Sequence, residues 1–494
     1  MLAFLSCSCY HKSINKGNQT TSNKIALCFS NHLMYALYCM KGWYAMLGVK
    51  VDYHMSAWKK TLIAGLISYI DAGSIVAGAS GLSMWADYLG MSSVQMGLLA
   101  ALSSNTGGAA LGALIGGRIC DKYGRKFVYN WALLIYMLGV LLICLATNYP
   151  MFLLGYVIVG LTVGADVVAS WTFIAEEAPS KNRAKHCGSA QIAWMLGPVV
   201  VFLASIPLNA AFGLLGNRII FAHLIVVAAW IWYQRLKMPE STEWVEARKK
   251  EQELEAAGIK VRKASYGDIL RGTAFKTVLM CCGVYMLWNL AASTNGFFMP
   301  YIYEHVGNLS NAASLALTAG NFAVCILTTV IFMFTADKFN RRKVYGIFSG
   351  LGVISWFVWV LPADMLQMWM LVFFTVVWGL SMQQQFYQLW SSELFPVRYR
   401  ATAQGFTFFV TRFSAAIWGF AVPILMEMVG FRVAAACMIG FCVLSWLAGT
   451  FFGGDDRGKT LDEITRDRYG DEIDENGWLV EPGHAHAAVA ANNK

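Results

Sequence analysis

The sequence predicts an all-α membrane protein, with twelve transmembrane helices in two pseudo-symmetric halves of six and both termini cytoplasmic. Three observations carry that expectation. The first is composition, with 57% of the residues hydrophobic and only 14% charged. The second is length, because apolar runs of about 20 residues, enough to cross a hydrocarbon layer, recur along the chain. In hydrocarbon every backbone amide must be satisfied within its own segment, and strand-type alternation is absent, so these runs are helices. The third is a repeat. Gly117-Arg118-Ile119-Cys120-Asp121-Lys122-Tyr123-Gly124-Arg125-Lys126 follows one apolar run, and Met333-Phe334-Thr335-Ala336-Asp337-Lys338-Phe339-Asn340-Arg341-Arg342-Lys343 closes another with the same order of aspartate, lysine, aromatic and basic cluster. One copy of a charged turn in each half is what a transporter built from two similar halves shows.

Taken in order, residues 1–54 differ from the rest. Cys7, Cys9, Cys28 and Cys39 fall among polar and aromatic residues without a clear period, so this stretch reads as a poorly ordered N-terminal extension, and Met55 reads as the natural start. Apolar runs then fall near 61–85, 95–117, 127–147, 150–174, 188–212 and 217–236, giving a first half over 55–236. A cytoplasmic linker over 237–272 follows, in which Glu243 to Glu255 has helical spacing and mixed charge, as short surface helices do. Runs near 275–300, 310–335, 344–362, 367–392, 402–427 and 431–453 give a second half over 273–453, and 454–494 form a polar cytoplasmic tail. Cys144, Cys281, Cys282, Cys325, Cys437 and Cys442 lie inside apolar runs without ligand spacing and read as small core residues.

Charge sets the orientation. The net charge of +9 resides in short loops rather than in a separate basic domain, which argues for topology and against nucleic acid as a partner. Alternate loops carry Arg118, Lys122, Arg125 and Lys126, then Lys181, Arg183 and Lys185, then Arg248, Lys249, Lys250, Arg262 and Lys263, then Lys338, Arg341, Arg342 and Lys343, then Arg398 and Arg400. The intervening turns hold almost none beyond Arg218 and Arg432. The basic loops belong in the cytoplasm, and the chain in the cell membrane as a multi-pass protein.

Four loop motifs have the order and spacing of a known family. They are Ala175-Glu176-Glu177-Ala178-Pro179 with Arg183, Pro239-Glu240-Ser241, Ser392-Glu393-Leu394-Phe395-Pro396-Val397-Arg398-Tyr399-Arg400, and Gly458-Lys459-Thr460-Leu461-Asp462-Glu463-Ile464. With the duplicated turn they resemble the sugar porter family of the major facilitator superfamily over roughly residues 60–465. The resemblance implies two rocking bundles and a central site exposed alternately to each side. Carboxylates and guanidiniums at the inner helix ends would pair across the halves when the cytoplasmic mouth is shut. Asp121, Arg125, Glu177, Arg183, Asp337, Arg341, Glu393 and Arg400 are therefore the expected gate.

Ionisable groups inside the spans are costly unless paired or functional. Asp71, about ten residues into the first span, matches the position of the coupling aspartate in proton-linked sugar porters and is the expected proton site, with Asp166 of the fourth span as a second coupling group. Where the family carries an arginine partner on the fourth span, this chain has Tyr156. Arg412 on the eleventh span needs a carboxylate, which Asp71, Asp166 or a substrate can supply. The tenth span is rich in amides at Gln383, Gln384, Gln385 and Gln388, beside Tyr387 and Trp390. Amides donate and accept, which suits hydroxyl-rich ligands, and aromatics cover ring faces. Gln384, Gln388, Trp390, Asn295 and Arg412 are the expected substrate contacts, joined by Gln191 from the resemblance. Gln388 stands where a tryptophan is common in the family, and Leu287 to Asn295 replace its paired glutamines on the seventh span. Gly108, Gly112 and Gly116 recur every four residues and predict close helix packing on the second span.

No nucleotide loop, zinc spacing or nucleophile elbow is present in the sequence, so neither an enzyme nor a bound cofactor is expected. The expected function is import of a sugar, polyol or inositol-like solute with a proton, by a monomer in the bilayer. Transport of a small carboxylate through Arg412 is the alternative, and a non-transporting solute sensor of the same fold is a third reading.

Overall fold

The structure, a computed structural model, describes residues 48–92, 95, 98–99, 102, 106–256, 266–362 and 365–473. The expectations for residues 1–47, for 257–265 of the linker and for the tail from 474 onward lie outside the described residues. The chain divides into two units at Asp52, and all the described helices lie in the second, Tyr53–Lys494.

Six spans make the first half. α1 (Ala57–Gly65) and α2 (Ile67–Leu89) together form the first, and α3 (Gly107–Tyr123) belongs to the second. α4 (Arg125–Cys144), α5 (Tyr149–Glu177), α6 (Arg183–Phe212) and α7 (Leu214–Leu236) complete it. Two linker helices follow, α8 (Thr242–Ala256) and α9 (Tyr266–Ile269). The second half holds α10 (Gly272–His305), α11 (Asn311–Thr335) and α12 (Arg341–Trp356), then α13 (Met368–Gly379) with α14 (Gln383–Glu393), then α15 (Arg400–Val429) and α16 (Phe431–Phe452). α17 (Leu461–Tyr469) lies beyond the last span. Among the described residues, nine helical stretches are long and apolar enough to cross a membrane.

Helix starts follow side-chain chemistry. The Asn148, Ser310 and Asn340 side chains accept the N–H groups of Met151, Ala313 and Lys343, capping α5, α11 and α12. α17 opens on a reciprocal capping box between Thr460 and Glu463. Two spans are interrupted. The first breaks at Leu66, between α1 and α2, and the tenth, expected as one run over 367–392, is interrupted between Gly379 and Gln383.

Bare glycine surfaces let α3 approach its neighbours. A Cβ added at Gly112 would run into the Leu161 carbonyl of α5, and one at Gly116 into Ala165. On its other side, a Cβ at Gly117 would meet the Ala401 carbonyl, and one at Gly405 of α15 the Ala113 carbonyl. The predicted small-residue face thus packs within the first half, and a second one closes α3 against α15 of the other half.

Candidate functional site

At one end of the bundle the charged turns meet in two clusters of the same design. Glu176 accepts Arg125 Nε and Nη2 at 3.0 and 2.6 Å within its own half, and Arg400 Nη1 of the other half at 2.9 Å. Glu393 accepts Arg341 Nη1 at 2.5 Å within its half and Arg183 Nη1 of the other at 3.3 Å. The two aspartates of the repeated turn cap helices across the divide. Asp121 accepts the N–H groups of Ala401 and Thr402 at the start of α15, at 3.2 and 2.6 Å. Asp337 accepts those of Ala184 and Lys185 at the start of α6, at 3.1 and 3.2 Å. A carboxylate at a helix N-terminus satisfies orphan donors and meets the positive end of the dipole. Burial pushes the Asp337 carboxyl above the ordinary carboxylate range, against the pull of these N–H groups and of Arg341.

Seven of the eight expected gate residues lie in this layer, and Glu177 does not. Its carboxylate binds Lys60 Nζ of its own half at 2.6 Å and the N–H and hydroxyl of Thr242, at the start of linker helix α8, at 2.8 and 3.0 Å. Consecutive helical residues point about 100° apart, so only one of two adjacent glutamates faces the other bundle, and that one is Glu176. Outside the spans, Glu240 caps α4 through the N–H groups of Arg125 and Lys126, at 3.0 Å each. Asp455 makes the equivalent contact to Arg341 N–H of α12 at 3.1 Å. Glu240 lies within the Pro239-Glu240-Ser241 motif, which carries no expected role for it, and Asp455 lies three residues before the Gly458-Lys459 motif.

Deeper in the bundle, the halves enclose a cavity of about 390 Å³, within the usual size range for small-molecule sites. Its wall comes from α2, α6, α10, α11, α13, α14 and α15, with Thr106 at the head of α3. Gln384, Asn295 and Arg412, three of the expected substrate contacts, line it, and so do Trp194, Tyr285, Trp288 and Asn289. Asn295 Nδ2 donates to Asn321 Oδ1 at 3.4 Å, and Asn321 Nδ2 to the Thr375 carbonyl at 2.9 Å. Trp288 Nε1 and Asn289 Oδ1 are buried with no hydrogen-bond partner among the described residues. Asp71 stands behind the wall rather than in it. Its Oδ2 accepts Trp194 Nε1 at 3.1 Å, and the Arg412 guanidinium, stacked 4.8 Å from the Phe408 ring centre, acts on it electrostatically.

The sequence of this bundle matches a known family along most of its length. A model described as sugar (and other) transporter matches residues 25–467. The chain belongs to that family. One relative of this transporter, the minor myo-inositol transporter IolF of Bacillus subtilis (strain 168), is 47% identical over 416 residues, which cover 83% of this chain and 94% of that one. The major myo-inositol transporter IolT of the same strain is 23% identical over 438 residues, covering 81% and 91%. Among solved structures, the proton:xylose symporter XylE bound to 6-bromo-6-deoxy-D-glucose shares the fold, with a TM-score of 0.71 and 18% identity over 83% of this chain and 99% of that one. The protein is a multi-pass membrane transporter, not an enzyme.

Four further residues expected at the site, Gln191, Gln388, Trp390 and Asp166, lie away from the cavity wall. Gln191 Nε2 donates to Gln388 Oε1 at 2.7 Å, linking α6 to α14 one helical turn nearer the charged end than the wall residues Met195 and Gln384. Trp390 is further still, donating to the Gly454 carbonyl at 3.0 Å and packed on Tyr345 and Phe386. Two turns separate it from Gln383 at the head of α14, enough to carry it out of the cavity and into the charged end. Asp166 meets neither Asp71 nor Arg412 among its hydrogen bonds. Both of its oxygens accept Arg235 Nη1, at 2.6 and 2.7 Å, and Ser170 Oγ donates to it at 3.0 Å. Arg235, in the last turn of the sixth span, is a buried charge that the sequence reading passed over; its position inside an apolar run was the available signal.

Proposed function

We propose that this transporter imports a cyclic polyol of the inositol type together with a proton, by alternating access. The observation that carries the reading is the cavity wall. Trp288 Nε1 offers a donor and Asn289 Oδ1 an acceptor, with Asn295, Asn321 and Gln384 amides around them, so hydroxyl groups that donate and accept can be matched from several sides. Trp194, Tyr285, Trp288 and Trp378 supply faces for a saturated ring. The kinship with IolF favours the same class of solute.

The basic loops assign the ion-pair end to the cytoplasm. With Glu176, Glu393, Arg183 and Arg400 tied across the halves, the cavity is shut on that side and receives solute from the other. Asp71 is the proton site. A proton there neutralises a carboxylate buried among helices, which makes reorientation of the loaded bundle less costly. Trp194 connects that carboxylate to the wall, so solute and proton act on the same contact between α2 and α6. A carboxylate cargo held by Arg412 is the second reading, favoured by the position of that guanidinium in the wall.

Uptake into proteoliposomes decides between them. Saturable accumulation of myo-inositol driven by an acid-outside gradient supports proton symport, and competition by monocarboxylates supports the second reading. Asp71→Asn should abolish gradient-driven accumulation, while binding measured by thermal shift persists. Accumulation at the wild-type level in that variant would remove Asp71 from the mechanism.

A further inference from the structure

Asp166 and Arg235 have no task in this scheme, yet they form a built-in cluster of unusual extent. Besides its two bonds to Asp166, Arg235 donates through Nη2 to the Ala64 carbonyl at 2.8 Å and to Ser170 Oγ at 3.0 Å, and its Cζ lies 4.2 Å from the centre of the Tyr129 ring. Four helices, α1, α4, α5 and α7, therefore meet on one cation, and both charged side chains are at most 1% exposed. A buried ion pair is a poor choice where packing alone is needed, since apolar residues of similar volume serve as well or better. A guanidinium supplies what they cannot, a directed N–H for a backbone oxygen.

That oxygen belongs to Ala64, two residues before the break at Leu66 that separates α1 from α2. At that break the Leu66 N–H turns onto the Ala64 and Leu62 carbonyls, and Arg235 adds a second, charged donor to the Ala64 oxygen. Asp71 lies five residues beyond the break. The direction in which α2 leaves it determines whether Asp71 reaches Trp194 of α6. The charged and titratable groups around Asp71 are Arg412 of α15, Tyr285 of α10 and Tyr136 of α4, with Tyr69 of its own helix bonded to His223 of α7 at 2.9 Å. All of them except Tyr69 stand on other helices, so a change in the path of α2 alters every one of these relations together.

We propose that Arg235, held in place by Asp166, is a positioning residue for proton coupling, fixing the break in the first span so that Asp71 meets Trp194 and the cavity in the register that links proton to solute. This rests on Asp71 being the proton site.

The test uses the full chain in proteoliposomes with myo-inositol as probe, reading gradient-driven accumulation, counterflow exchange and the pH profile of exchange. Two variants serve. Asp166→Asn with Arg235→Gln removes both charges without stranding either, and Arg235→Lys keeps the ion pair but loses the second arm that reaches Ala64. Both should continue to exchange solute, while accumulation falls by about tenfold, the size of a typical coupling free energy between two ligands, and the pH profile moves. Wild-type accumulation and an unmoved profile in Arg235→Lys would overturn the proposal, and that variant decides alone if the double variant does not fold. Asp71→Asn separates the two levels of inference. If it keeps accumulation, the symport reading fails; if it loses accumulation while the pair variants keep it, only the positioning role falls.

Discussion

Glu176 and Glu177 differ by one position and by which bundle they face. Glu176 joins Arg125, Arg400 and the Ser241 hydroxyl, so Glu176→Gln leaves two buried guanidiniums short of a counter-charge. Breaking a buried pair by removing one partner costs about 3–5 kcal/mol, so this variant should lose most of its thermal stability margin or remain open at the charged end. Glu177→Gln loses a bond to Lys60 inside one half and should keep near-wild-type transport; thermal melts and uptake of the two variants side by side check the contrast. Equal damage from both would mean that the two-cluster geometry is wrong. The sequence carried the motif but not its phase, because a loop signature fixes which turn is charged and not which of two neighbours points across. Asp166 shows the same limit. Its need for a partner was legible from its depth in the fourth span, whereas the partner is 69 residues away on another helix, and no spacing rule links them.

At the scale of elements, hydrophobic run length identified the spans and small-residue periodicity identified the packing face of α3, since both are local properties of the chain. The interruptions were not legible. Gly379, the last residue of α13, is the available signal, but a lone glycine inside a long apolar run reads as tolerated rather than as a helix end. The α3–α15 contact is equally a product of tertiary assembly, because the face carrying Gly117 acquires its meaning only when Gly405 lies opposite it. A methyl group at Gly117 meets backbone rather than a flexible side chain, so α15 must retreat. Gly117→Ala should therefore weaken the Asp121 caps on Ala401 and Thr402 and shift the protein toward opening at the charged end. Gly112→Ala, which crowds α3 against α5 in the same half, should lower the melting temperature without favouring either state. Protease or maleimide access to the charged end, measured for both variants, separates the two effects. The cap on α4 gives a third element-level expectation. Glu240→Ala removes an acceptor for two N–H groups at a helix start and should cost about 1 kcal/mol, read as a lower melting temperature.

On the scale of the whole molecule, each half contributes an aspartate, an arginine and a glutamate to its own cluster and sends one arginine to the other. Opening as rigid bodies must break both clusters at once, because Arg400–Glu176 and Arg183–Glu393 span the same divide. Two buried cysteines report on this independently. Cys120 lies beside the first cluster, where its carbonyl accepts Arg125 Nη1 at 3.3 Å, and Cys187 lies beside the second, in the field of Glu393 and Arg183. Arg400→Gln disturbs only the first cluster directly, and Arg183→Gln only the second. If the halves move as units, Arg400→Gln should speed maleimide labelling of the distant Cys187, and Arg183→Gln that of the distant Cys120, by about tenfold for each 1.4 kcal/mol of closed-state stabilisation removed. If each cluster loosens by itself, labelling will rise only at the near thiol in each variant. Peptide mass mapping after timed labelling distinguishes these patterns, and the local pattern would refute rigid-body rocking for this transporter. Adding myo-inositol from the side opposite the clusters sharpens the comparison, since a solute bound in the shared cavity must alter both labelling rates by the same factor when one two-state motion governs them.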